Sequence, residues 1–195
     1  TISKKTIHCL KMEFIKENLQ GLREANRDRT CPTTIGSLKD AINYYRSKKG
    51  GTISGNQSLY DQMMNEDAFK ASFDPEHGII IQGIKEKMIA AVDSGKSVKN
   101  DSNSRKAFKC ATLGAYSLNI EYDFVPIKGL NNVQIHLFGS DLWDFAEAQC
   151  NGDIHQKART FWRNLTHEVI PKMLAGDGKE YTITYDFNIT IPITI

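Results

Sequence analysis

The feature that most constrains this chain is the closing run Tyr181-Thr-Ile-Thr-Tyr-Asp-Phe-Asn-Ile-Thr-Ile191. Aromatic and aliphatic side chains alternate there with Thr, Asp and Asn, the period-two pattern of a strand with one buried face. Such a strand is not stable alone. It needs neighbours in a sheet and a layer packed on its apolar side. Tyr181, Ile183, Tyr185, Phe187 and Ile189 are therefore expected on the covered face.

Partners for it lie upstream. Tyr116, Leu118, Ile120 and Tyr122 alternate with polar residues, and Val133–Phe138 repeats the pattern. Pro126-Ile-Lys-Gly129 and Asn131-Asn132 supply turn chemistry between these runs, so the two strands are expected to pair antiparallel. His136 falls on the solvent phase of its strand. Tyr122-Asp123-Phe124 and Tyr185-Asp186-Phe187 each read as one exposed acid between rings.

The first half has helical spacing instead. Ile7, Leu10, Phe14 and Leu22 recur at helical intervals. Thr34 is expected to cap a helix that carries Ile35, Leu38, Ile42 and Tyr45 inward, with Gly50-Gly51 stopping it. Ser58 can start the next, with Leu59, Met63 and Phe69 on one side. After Pro75, Ile80, Ile84, Met88 and Ala91 form the stripe of another helix. Ala158, Phe161, Trp162, Leu165 and Val169 mark a helix that would pack on the sheet.

The expected fold class is α+β, a helical N-terminal half followed by an antiparallel sheet with one packed helix. The helical region covers 1–95 and the β-rich region 106–195. The polar stretch Ser94–Arg105 reads as a linker or mobile loop between them.

Composition narrows the function classes. With 40% hydrophobic and 25% charged residues, the chain falls in the ordinary globular range. Its net charge of +2 lacks the basic excess of an electrostatic nucleic-acid binder. No apolar run is long enough for a transmembrane segment. No apolar stretch follows the basic Thr1-Ile-Ser-Lys-Lys5, so a signal-peptide pattern is missing. The first residue is not Met, and a processed product or a domain of a longer protein is expected, which leaves the compartment open. Cys9, Cys31, Cys110 and Cys150 form no CxxC pair; two disulfides or scattered free thiols both fit.

Familiar catalytic motifs are missing. Gly176-Asp-Gly-Lys179 lacks the spacing of a phosphate loop, and no GxGxxG follows a strand. His167-Glu168 begins like an HExxH zinc site, but Pro171 stands where the second histidine belongs. No GxSxG or SxxK occurs. A cysteine nucleophile would have to be Cys110 or Cys150, and nothing local marks either as activated.

What remains is Asp141-Leu-Trp143-Asp144 with His155 and Arg159 downstream. If the chain turns into a helix at this point, the two carboxylates share one face of its first turn. Such a pair can bind a divalent cation or divide acid and base roles. His155 and Arg159 beside it could activate water and neutralise a phosphate. The same residues also permit a reading without chemistry, in which Asp141 is an N-cap and Asp144 completes a capping box.

The order strand, turn, strand, Asp-x-aromatic-Asp, His, helix, glycine turn and closing strand resembles the toxin domain of the colicin M family over residues 110–191. That family carries an Asp-x-Tyr-Asp-x5-His-Arg segment. Here Trp143 replaces the tyrosine, ten residues precede His155, and Gln156 stands for the arginine. The resemblance implies cleavage of a phosphodiester in a lipid-linked peptidoglycan precursor in the periplasm, with magnesium. Asp141 and Asp144 would hold the metal or act as base, His155 would transfer a proton, and Arg159 and Trp143 would bind substrate. A secreted or periplasm-delivered effector with a cognate immunity protein is then expected, with a cytoplasmic home still open. The competing reading is a non-enzymatic interaction module, an adaptor or immunity protein. A third, membrane perturbation, lacks the long apolar or basic amphipathic helix it would use.

Overall fold

The computed structural model describes residues 19–99, 105–143 and 175–195. Within them the chain is α+β, with helices first and most strands after them. The helical elements are α1 (19–27), α2 (Leu38–Arg46), α3 (Gln57–Asn65), α4 (Asp67–Ser72) and α5 (Ile79–Ser94). The strands are β1 (Thr52–Ser54), β2 (Val98–Lys99), β3 (Arg105–Cys110), β4 (Gly114–Glu121), β5 (Asp123–Phe124), β6 (Leu130–Trp143) and β7 (Tyr181–Thr194). A five-stranded sheet has the order β1-β7-β6-β4-β3, and β2 pairs with β5 separately. The β3–β4 and β4–β6 pairs are antiparallel, as expected from the turn residues. Gly129 and Ile195 exchange both backbone hydrogen bonds, which makes β6–β7 antiparallel too. β1 differs. Thr182 donates to Gly51 and Gly55 donates to Thr184, so the indices rise together and the sheet is mixed. No described helix is long and apolar enough to cross a membrane.

The chain divides into two compact units, Thr1–Ile53 with Leu142–Ile183 and Ser54–Asp141 with Thr184–Ile195. In the first, α2 begins at Ser37 rather than Thr34. The Ser37 hydroxyl accepts from the Asp40 N–H and donates to the Asp40 carboxylate, a reciprocal cap that Thr34 has no acid to complete. Ile35, Ala41, Ile42, Tyr44 and Tyr45 are buried. The chain leaves α2 through Lys48, Gly50 and Gly51, all at positive φ, where glycine removes the Cβ clash. Tyr45, Trp143 and Tyr181 form an aromatic cluster, Trp143 lying 5.6 Å from each of the other two rings. Gly178 presses on the Tyr45 ring, where a Cβ would collide.

In the second unit, Asn56 rather than Ser58 caps α3, its side chain accepting from the Ser58 N–H. The single helix expected through Phe69 breaks at Glu66, whose extended ψ of 137° separates α3 from α4. Leu59, Met63 and Phe69 are nonetheless buried, as are Ile80, Ile84, Met88 and Ala91 along α5. Gly95 ends α5 in the left-handed region, and Lys96 N–H returns to the Ala91 carbonyl. The polar stretch that follows is not all loop. Val98 is buried and pairs with Phe124. Phe69, Phe73, Phe108, Tyr116 and Tyr185 continue ring to ring across this core. Along β7, Tyr185 and Phe187 are buried and Asp186 and Asn188 exposed, as alternation requires.

Candidate acidic site at the sheet end

β6 does not turn at Gly139-Ser140-Asp141 but runs on to Trp143. The glycine answers a packing demand: a Cβ there would sit 2.6 Å from the Tyr185 ring and 2.7 Å from the Ser117 carbonyl oxygen. Asp141 is therefore a mid-strand residue, not a helix cap. Its phase is informative. Val133, Ile135 and Leu137 are buried on the same phase of β6 and within the same unit. Asp141 is the charged residue on a face whose other members are the buried Asn131, apolar side chains and glycine.

Its surroundings are polar. Cys110 ends β3, and Leu113 N–H donates to its sulfur across the tight turn into β4. Burial pushes the Cys110 thiol up to about 11, and the Glu66 and Asp141 carboxylates add to the shift. The thiol is thus protonated at neutral pH, the opposite of an activated nucleophile. Gln62 of α3 accepts from Thr112 N–H at 3.0 Å, which ties the helix to the turn. One helical turn later comes Glu66. Tyr116 is only 2% exposed, and its hydroxyl makes no hydrogen bond among the described residues. Burial raises the Tyr116 hydroxyl above its ordinary value, and Cys110, Glu66 and Tyr185 raise it further. Tyr185 differs, since its hydroxyl donates to the Ser117 carbonyl at 2.7 Å. The Glu66 and Asp141 carboxylates thus both act on the Cys110 thiol, and Glu66 also acts on the Tyr116 phenol.

Comparison with family models, curated proteins and solved structures returns no match. The site is therefore read from its own chemistry.

Of the residues expected from sequence, Asp141 and Trp143 are described. Trp143 is buried in the aromatic cluster of the first unit. Asp144, His155 and Arg159, with the helix around Ala158–Val169, lie outside the described residues. Cys31 and Cys110 are free thiols.

A second constellation lies on the polar face of the sheet. His136 Nε2 is 2.7 Å from Asp186 Oδ1, and Nδ1 is 3.5 Å from Glu121 Oε2. The ring stacks on Phe138 at 4.7 Å. Glu121 and His136 are direct cross-strand partners on β4 and β6, and Asp186 comes from β7. The carboxylates address opposite nitrogens of the ring, so they do not converge on one ion. Among the described residues no group of three His, Cys, Asp or Glu side chains is placed to hold a metal. The sequence carried a signal for this trio, since all three fall on the polar phase of alternating strands.

Proposed function

We propose that this chain is an antibacterial effector domain acting on the cell envelope, a hydrolase directed at the phosphodiester of a lipid-linked peptidoglycan precursor. The observation that carries the reading is Asp141. It is a carboxylate on the mostly apolar phase of a strand, and its charge acts on the same buried Cys110 thiol as that of Glu66. Such local violations concentrate at functional sites. The reading also draws on the resemblance of residues 110–191 to the colicin M family. Magnesium, implied by that resemblance, takes hard oxygen donors. Asp141 offers one, and Asp144, the other expected ligand, lies outside the described residues. Bound there, the ion would polarise a phosphoryl oxygen. Asp141 supplies a carboxylate near the sheet end, and the protonated Cys110 and Tyr116 can donate to an anionic oxygen.

The test is growth. Chain directed to the periplasm should arrest bacteria, and the same chain kept in the cytoplasm should not. Asp141→Asn should abolish the arrest without moving the melting transition, because shape is kept and charge is lost. Arrest by Asp141→Asn equal to wild type would remove the site.

The interaction-module reading rests on a different observation, the Glu121–His136–Asp186 trio. With both ring nitrogens facing carboxylates, His136 is occupied as a fastener across three strands. A polar sheet face organised in that way suits recognition of a protein partner. A cognate inhibitor whose binding is lost in His136→Ala, in a chain that never arrests growth, would favour it.

A further inference from the structure

The loop between β5 and β6 exposes an unusual amount of apolar surface. Val125 is 69% exposed, Ile127 62% and Leu130 58%. Single exposed aliphatic residues are ordinary, but three within six positions concentrate apolar exposure in one short segment. The patch is also held in place. Pro126, between the two outward residues, is buried. Asn131 is buried too, its Oδ1 accepting from Ile127 N–H at 3.0 Å. Its Nδ2 donates to the Ile127 and Gly129 carbonyls at 2.9 and 3.0 Å. Gly129, at φ 101°, exchanges both backbone bonds with Ile195. Every one of these ties fixes the loop backbone and leaves the aliphatic side chains outside.

A loop free to collapse would fold such residues onto the nearest apolar surface. This one is braced against doing so. The segment 125–130 contains one ionisable residue, Lys128, and no carboxylate. An ordered cluster of aliphatic side chains with an ammonium group among them matches the boundary of an anionic bilayer. There the chains enter the acyl region and the lysine meets phosphate. We propose that residues 125–130 form a peripheral membrane-docking tip that seats the second unit on anionic lipid. The inference is carried by the loop alone and does not depend on the hydrolytic reading, because docking needs no turnover.

The 195-residue chain should co-sediment with vesicles of phosphatidylcholine containing phosphatidylglycerol, and less with phosphatidylcholine alone. The triple variant Val125→Ser, Ile127→Ser, Leu130→Ser should melt like wild type and lose partitioning by roughly tenfold or more. Lys128→Glu should weaken binding to the anionic vesicles only. Ile127→Trp should shift its emission to the blue on vesicle addition, which reports insertion independently of sedimentation. The proposal is overturned if wild type sediments with neither vesicle or if the triple variant binds as wild type does. Concentration-dependent self-association that the triple variant abolishes, without lipid binding, would also overturn it by making a second copy the occupant.

Discussion

The two units bury tyrosine alike except at one residue, Tyr116 of the second. In the first, the Tyr44 hydroxyl donates to the Gly50 carbonyl at 3.0 Å and Tyr181 donates to the Ala41 carbonyl at 2.9 Å. Their rings meet edge-on at 4.6 Å, so each brings apolar area and a satisfied polar tip. In the second, Tyr116 is equally buried and its hydroxyl has no partner among the described residues. A smaller shortfall in the first unit is the Asn43 Oδ1, but that side chain still donates to the Asp28 carbonyl at 2.6 Å. An uncompensated buried hydroxyl costs stability, and nothing in the packing of Tyr116 requires the oxygen. Folding explains the first arrangement completely. The packing of Tyr116 does not explain the second.

The largest effect should come from the aromatic cluster of the first unit. Trp143→Ala removes a buried ring touching Tyr45 and Tyr181, and should cost about 3–5 kcal/mol by urea unfolding. If the loss stays below about 1 kcal/mol, this cluster is not what holds the unit together.

Deleting the two phenol oxygens sharpens the contrast directly. Tyr181→Phe should cost about 1 kcal/mol, because a buried hydrogen bond disappears. Tyr116→Phe should be neutral or stabilising by up to about 1 kcal/mol, since it removes an unpaid desolvation. Equal losses in both variants would show that Tyr116 has a partner worth as much as the Ala41 carbonyl, and the comparison would collapse.

Periodicity made most of the fold legible. The α5 stripe, the alternation on β4 and the inward residues of β7 needed only spacing, because burial on one face writes itself into every second or fourth residue. Punctuation was harder. Gly139-Ser140-Asp141 has the composition of a turn, yet the glycine is there for the Tyr185 ring, a contact from another strand. The break at Glu66 and the pairing of Val98 with Phe124 likewise depend on partners distant in sequence. The site was half legible for the same reason. Asp141 stood out as a carboxylate after a strand, whereas Glu66 and Tyr116 belong to other elements and join it only through the fold.

The smallest effect concerns exposed carboxylates, and it tests whether the polar ties of the first unit extend to its surface. Asp28 accepts from the Thr30 hydroxyl at 2.7 Å and the Thr30 N–H at 3.1 Å, and pairs with Lys39 at 3.1 Å. These hold its carboxyl down to about 2, the Thr30 hydroxyl bond counting most and the Lys39 charge adding less. In the second unit Asp74 is lowered as well, chiefly by the His77 and Glu76 N–H groups. A carboxyl depressed by folding stabilises the protein above its unfolded value and loses that contribution as pH falls through the folded one. For Asp28 the window runs from roughly pH 4 down to pH 2. Wild type should therefore exceed Asp28→Asn in urea midpoint at pH 5 by a small margin, and the margin should close on acidification through that window. Added salt should trim only the Lys39 share, because screening weakens the ion pair more than the Thr30 bonds. A margin that is the same at pH 5 and pH 2 would mean that the carboxylate charge contributes nothing, and that the polar anchoring of the first unit stops at its buried tyrosines.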